Sequence, residues 1–137
     1  MASSLIESTQ GWVLKAYQDL ESARYLGKRD DLLVPAVYHC QQAAEKVIKA
    51  FLTLHSLPVP RTHDIADMLD HAVVIEPAFL ALDADAILLN PFATKFRYPS
   101  NAWDNEPSES EYADAMAAAE RIYDFVLSLL PPETHPI

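Results

Sequence analysis

Apolar residues recur every three or four positions along most of this chain, and that spacing predicts five helices. The first covers about 9–26, with Trp12, Val13, Ala16, Leu20, Ala23 and Leu26 on one side. Gly27 stands where a helix stop belongs. The second begins between 32 and 36, carries Pro35 in its first turn, and runs to about 55. Val37, Cys40, Ala44, Val47, Ile48, Phe51 and Leu52 form its apolar stripe, and Glu45 and Lys49 sit at pairing distance on its surface. Two prolines in "SLPVPRTHD" break the pattern. A short third helix over about 63–74 follows, with Thr62 as N-cap, Asp64 at its positive end, and Ile65, Met68, Leu69 and Ala72 inward. Pro77 opens a fourth over about 77–90, with Phe79, Leu80, Ile87 and Leu88 toward the core. Pro91 ends or kinks it. Ser108 and Glu111 form a capping box for the fifth, whose stripe of Tyr112, Met116, Ala119, Ile122, Tyr123, Val126 and Leu130 runs to Pro131. No strand alternation is visible. The expected fold is all-α, an antiparallel four-helix up-and-down bundle with an additional short helix.

Composition agrees with this picture. The chain has 137 residues, half of them hydrophobic, and only two glycines. We expect one domain over 1–137 with its core at about 10–130. No apolar run reaches the ~20 residues of a membrane span. No secretory signal pattern opens the chain. A lone cysteine, Cys40, has no internal disulfide partner and suits the cytoplasm. The formal charge of −10 repels nucleic-acid backbones unless cations gather locally, which argues against RNA as a partner.

Candidate chemistry is sparse. With two glycines there is no phosphate-cradling loop, no cofactor is expected, and no nucleophile elbow appears. His63, Asp67 and His71 fall at helical spacing compatible with metal ligation, but no second ligand pair completes a site, and none is expected. Cys40 lies on the apolar stripe and reads as core. More informative is the second helix, where His39, Gln42, Lys46 and Lys49 share one polar face opposite Val47, Phe51 and Leu54. That face is either solvated or turned toward a cleft or a subunit interface.

These residues also carry a resemblance. "AVYHCQQAAEKVIKAFL" at 36–52 resembles the signature helix of HEPN domains, the higher eukaryotic and prokaryotic nucleotide-binding family. "WVLKAYQDLESARYL" at 12–26, "THDIADML" at 62–69, "FRYP" at 96–99 and "PSESEYADAMAAAERIYDFV" at 107–126 resemble further family segments, in the family's order. The resemblance covers about 10–130. It implies that Arg97 lies near the polar face of the second helix. Lys46, Lys49, Lys95 and Arg97 would then gather into one region, able to hold a phosphate or a partner's carboxylates. Tyr98 and Trp103 would stack on a base or pack on a second subunit. The implied binding set is His39, Gln42, Lys46, Lys49, Lys95, Arg97 and Tyr98. The plainer alternative is that Arg97 pairs with Glu45 or another acid and orders its loop.

Many HEPN proteins are metal-independent ribonucleases with an arginine followed, four to six residues on, by a histidine. This sequence departs from that pattern: after Arg97 the corresponding positions are Ala102, Trp103 and Asp104, and no other arginine supplies the pair. No catalytic residue is therefore assigned. A ribonuclease would need His39 or His63 to reach Arg97 from another helix. The resemblance implies instead a homodimeric, nucleotide-binding or partner subunit, companion to a separate small nucleotidyltransferase in a toxin–antitoxin-like pair. A ligand-free dimerisation module is the remaining alternative.

Overall fold

The computed structural model describes residues 2–99 and 106–136, and the described residues contain five α-helices and no strand. α1 is Ala2–Leu26, α2 Leu33–Leu54, α3 Ile65–Val73, α4 Asp83–Leu89 and α5 Glu109–Ser128. Helix α2 is the central member. It packs along α1 and α5, and α3 crosses its flank. Its apolar stripe is buried as expected, with Val37, Cys40, Val47, Ile48, Phe51 and Leu52 excluded from water. Burial pushes the Cys40 thiol up to about 12, so it stays protonated in the core. The Ser108–Glu111 capping box forms in both directions and starts α5.

Three local expectations change. α3 begins at Ile65, not 63, because Asp64 rather than Thr62 is the N-cap. The Asp64 carboxylate accepts the Asp67 amide, while Thr62 Oγ1 accepts the amide of Asp64. His63 therefore precedes the helix, and the His63–Asp67–His71 row does not form on one helical face. The fourth segment is not one α-helix. A 3-10 helix over Pro77–Leu82 precedes α4, and another over Asn90–Ala93 follows it. Apolar residues stand on two faces of this segment, and only one of them packs inward. Phe79, Leu82, Ala86 and Leu89 are buried, whereas Leu80 and Ile87, expected inside, are 66% and 62% exposed.

Gly27 serves packing rather than a left-handed cap. Its φ is not positive. A Cβ there would stand 2.0 Å from the Tyr112 ring, and the Tyr112 hydroxyl donates to the Ala23 carbonyl at 3.0 Å. The missing side chain lets α5 close onto the end of α1.

Candidate functional site

The polar face of α2 is built around two buried carboxylates. Asp19 sits on the core side of α1, one turn from Ala16 and Ala23, and is 7% exposed. Its Oδ1 meets His39 Nδ1 at 2.7 Å, and its Oδ2 accepts from Lys46 Nζ at 2.6 Å. Glu45 on α2 is 2% exposed. Its Oε1 meets His63 Nδ1 at 2.8 Å, and its Oε2 accepts from Lys49 Nζ at 3.0 Å. Gln41 Nε2 donates to the His63 carbonyl at 2.9 Å, and Gln42 Nε2 donates to Gln41 Oε1 at 2.7 Å. A buried acid left alone would be costly, and here each acid has a lysine and a histidine. Burial raises the Asp19 pKa, but hydrogen bonds from His39 and Lys46, and their charges, outweigh it. The carboxyl is held below its ordinary value.

This arrangement fixes the two imidazoles. An ionised carboxylate only accepts, so Nδ1 of each ring carries the proton. Nε2 is left over. Neutral, it is a lone pair that takes a proton; protonated, it donates to an anion. His39 opens onto a groove of about 600 Å3 that it shares with Glu21, Ser22, Arg24, Tyr25 and Lys28. Tyr25 is 73% exposed there, with Lys28 Nζ 5.5 Å from its ring centre. Arg24 pairs with Glu21 and lies 3.5 Å from Glu120. His63 is more open and lines a second cleft of about 330 Å3 with Asp64, Asn90, Pro91 and Ala93.

The expected binding set is brought together in part. His39, Gln42, Lys46 and Lys49 do share the α2 face. Gln42 is buried and spent on Gln41 and Glu45. Lys49 is nearly enclosed between Glu45 and the Trp12 ring, 5.3 Å from its centre. The Glu45–Lys49 pair thus forms, but inside the protein rather than on its surface. Arg97 reaches this face through an aromatic contact. Its guanidinium lies 4.2 Å from the centre of the Tyr38 ring, which itself sits edge-on to His39. Among the described residues no carboxylate pairs with Arg97; its Nη1 donates to the Ala93 carbonyl at 3.3 Å. Tyr98 is exposed beside it. Lys95 turns elsewhere, over the Phe96 ring and into a pocket lined by Leu88, Pro91, Phe92, Glu111 and Asp114. Trp103, with the neighbouring Ala102 and Asp104, lies outside the described residues.

Sequence reasoning missed Asp19 and Glu45 as anchors, and it missed Arg24, Tyr25 and Lys28 as the wall facing His39. One signal was available: Asp19 follows Ala16 by three and precedes Ala23 by four, an acid on an apolar stripe.

A helical bundle whose central helix presents a carboxylate-anchored histidine and lysines beside an arginine-bearing segment defines a class of small all-α domain. A family model for the HEPN domain matches residues 9–129, and the chain belongs to that family. A solved crystal structure, described as that of an archaeal HEPN homologue, superposes with a TM-score of 0.70 at 27% identity. The match covers 88% of this chain and 96% of that one. No curated protein matches the chain. Among the described residues, no helix is long and apolar enough to cross a membrane.

Proposed function

We propose that this HEPN-domain protein binds a nucleotide, with its phosphates at His39. The observation that carries this reading is the anchoring of His39. Its Nδ1 is fixed on buried Asp19 at 2.7 Å, and the ring lines a groove with Arg24 and Lys28. Fixed donors lose little entropy on binding, and a protonated Nε2 is a charge-assisted donor to phosphate. Exposed Tyr25 offers a face for the base. Lys46 and Lys49 support the site indirectly, by neutralising Asp19 and Glu45. Arg97 and Tyr98 border it across Tyr38.

The test is thermal unfolding with ATP, GTP or a short single-stranded RNA, for wild type, His39→Ala and Arg24→Ala. Ligand at ~100 times its Kd stabilises by about 2.7 kcal/mol. Wild type should shift with at least one nucleotide, and both variants should lose that shift. No shift with any ligand at low salt would sink the reading.

A specific observation favours a second reading. Arg24 and carboxylate-anchored His39 line one groove, although the family's arginine–histidine spacing is absent. Such a pair suits metal-independent RNA cleavage. His39 Nε2 would take the 2′-hydroxyl proton, and Arg24 would stabilise the phosphorane. RNA cleavage in EDTA that His39→Ala abolishes would replace nucleotide binding with this activity. The proposal extends to a homodimer working as companion to a separate nucleotidyltransferase, as the family resemblance implies.

A further inference from the structure

The segment from Pro77 to Pro91 carries a second apolar strip on the outside of the protein. Pro77, Leu80, Ala84, Ile87 and Pro91 follow one another at intervals of three, four, three and four, and all five are exposed. The inward set of Phe79, Leu82, Ala86 and Leu89 already holds this segment to the core, so the outer strip does nothing for packing. Val74 and Ile75, 80% and 42% exposed, extend it from the end of α3. Val74, Ile75, Leu80 and Ile87 make four, against three exposed tyrosines, which are the other large exposed apolar residues described. Three-and-four spacing is the pattern by which helical surfaces seat one another.

Charge decides what covers it. Residues 62–94 contain Asp64, Asp67, Asp70, Glu76, Asp83 and Asp85 but neither lysine nor arginine. Among the described residues, Asp85 alone of these has a lysine or arginine partner, Arg121 at 2.7 Å. A second copy of this chain seated here would set acid against acid. Where the strip ends, Pro91 and Leu88 line a pocket of about 220 Å3 together with Phe92, Lys95, Glu111 and Asp114. Apolar side chains beside two carboxylates suit the stem and head of a long cationic side chain.

We propose that the outer face of residues 74–91 is a docking surface for another protein, which presents an amphipathic helix with apolar anchors flanked by lysine or arginine. The surface runs from the end of α3 across α4, none of its residues lines the His39 groove, and the inference stands whether or not that groove binds nucleotide.

The test uses a labelled synthetic helix of about 18 residues, long enough to be helical in part. It carries leucines at three-and-four spacing and flanking lysines. Two control peptides keep the composition with scrambled order, or replace lysine by glutamate. Fluorescence anisotropy should show binding of the first peptide, weakened at least about tenfold by Leu80→Ser/Ile87→Ser and by high salt. Both substitutions are exposed, and unchanged thermal unfolding of the variant confirms its fold. Equal binding of the scrambled peptide, indifference to the double substitution, or no binding would overturn the proposal. So would sedimentation showing a wild-type dimer that Ile87→Glu splits, since a second copy would then own the face.

Discussion

Removing the Asp19 charge while keeping its shape, as in Asp19→Asn, takes the counter-ion from Lys46 and the anchor from His39. Breaking a fully buried pair costs ~3–5 kcal/mol. Lys46 keeps 24% of its side chain in water, so we expect about 2–3 kcal/mol at pH 7 in urea unfolding. The sign with pH follows from the lowered pKa of Asp19. The unfolded group titrates near 3.8, so its contribution is full above that pH and declines as pH falls through the lower, folded value. The gap between wild type and Asp19→Asn should therefore narrow in that acid window; a gap constant with pH would contradict the ion-pair account. Gly27 gives the second residue-scale expectation. Gly27→Ala drives a methyl into the Tyr112 ring and should destabilise by about 1–3 kcal/mol. In a Tyr112→Ala background the same change should cost far less, and an undiminished penalty would place the strain elsewhere.

At the scale of elements, the face of the fourth segment that meets the core decides which residues matter. Leu82→Ala and Leu89→Ala should each cost about 2–5 kcal/mol, as buried leucines do. Leu80→Ser and Ile87→Ser should stay within about 0.5 kcal/mol. Equilibrium unfolding of the four variants checks this, and large losses at Leu80 or Ile87 would place those side chains in the core instead. This segment also marks the limit of what the sequence made legible. Periodicity found α1, α2 and α5 because their stripes are long and capped by recognisable residues such as Ser108 and Glu111. It read Leu80 and Ile87 as inward because this segment carries apolar residues on two faces, and the buried set of Phe79, Leu82, Ala86 and Leu89 has the same three-and-four spacing as the exposed one. Which face meets the core is set by tertiary packing, which leaves no trace in apolar spacing. At the α2 face, the residue types of His39, Lys46 and Lys49 were readable, but their partners were not. Asp19 lies twenty residues from His39 and 27 from Lys46, contacts that only the pairing of α1 with α2 creates.

At the scale of the whole molecule, the account joins an acidic body to one locally neutralised face. With a formal charge of −10, the chain cannot hold a phosphate by net attraction. It does so, on our reading, by burying two acids that absorb Lys46 and Lys49 and orient His39 and His63. Arg24, Lys28 and Arg97 are left near the groove and its border. The two proposals assign different faces: a polar one on α1 and α2 for a small anion, and an apolar one running from the end of α3 across α4 for a protein. The five histidines are built-in reporters of the first, because they are distributed over both faces and the C-terminal end. His135 Nε2 is 2.9 Å from the Leu127 carbonyl at the end of α5, and the ring lines a neighbouring pocket with Glu21 and Arg24, whereas His71 belongs to α3 and does not line the groove. The most direct measurement is a long-range proton–nitrogen NMR titration of the imidazoles with ATP and GTP. Nε2 of His39 should move with saturation while His71 stays fixed, and Asp19→Asn should weaken the response. A saturating nucleotide that leaves His39 unmoved, or moves His71 instead, would contradict the nucleotide reading.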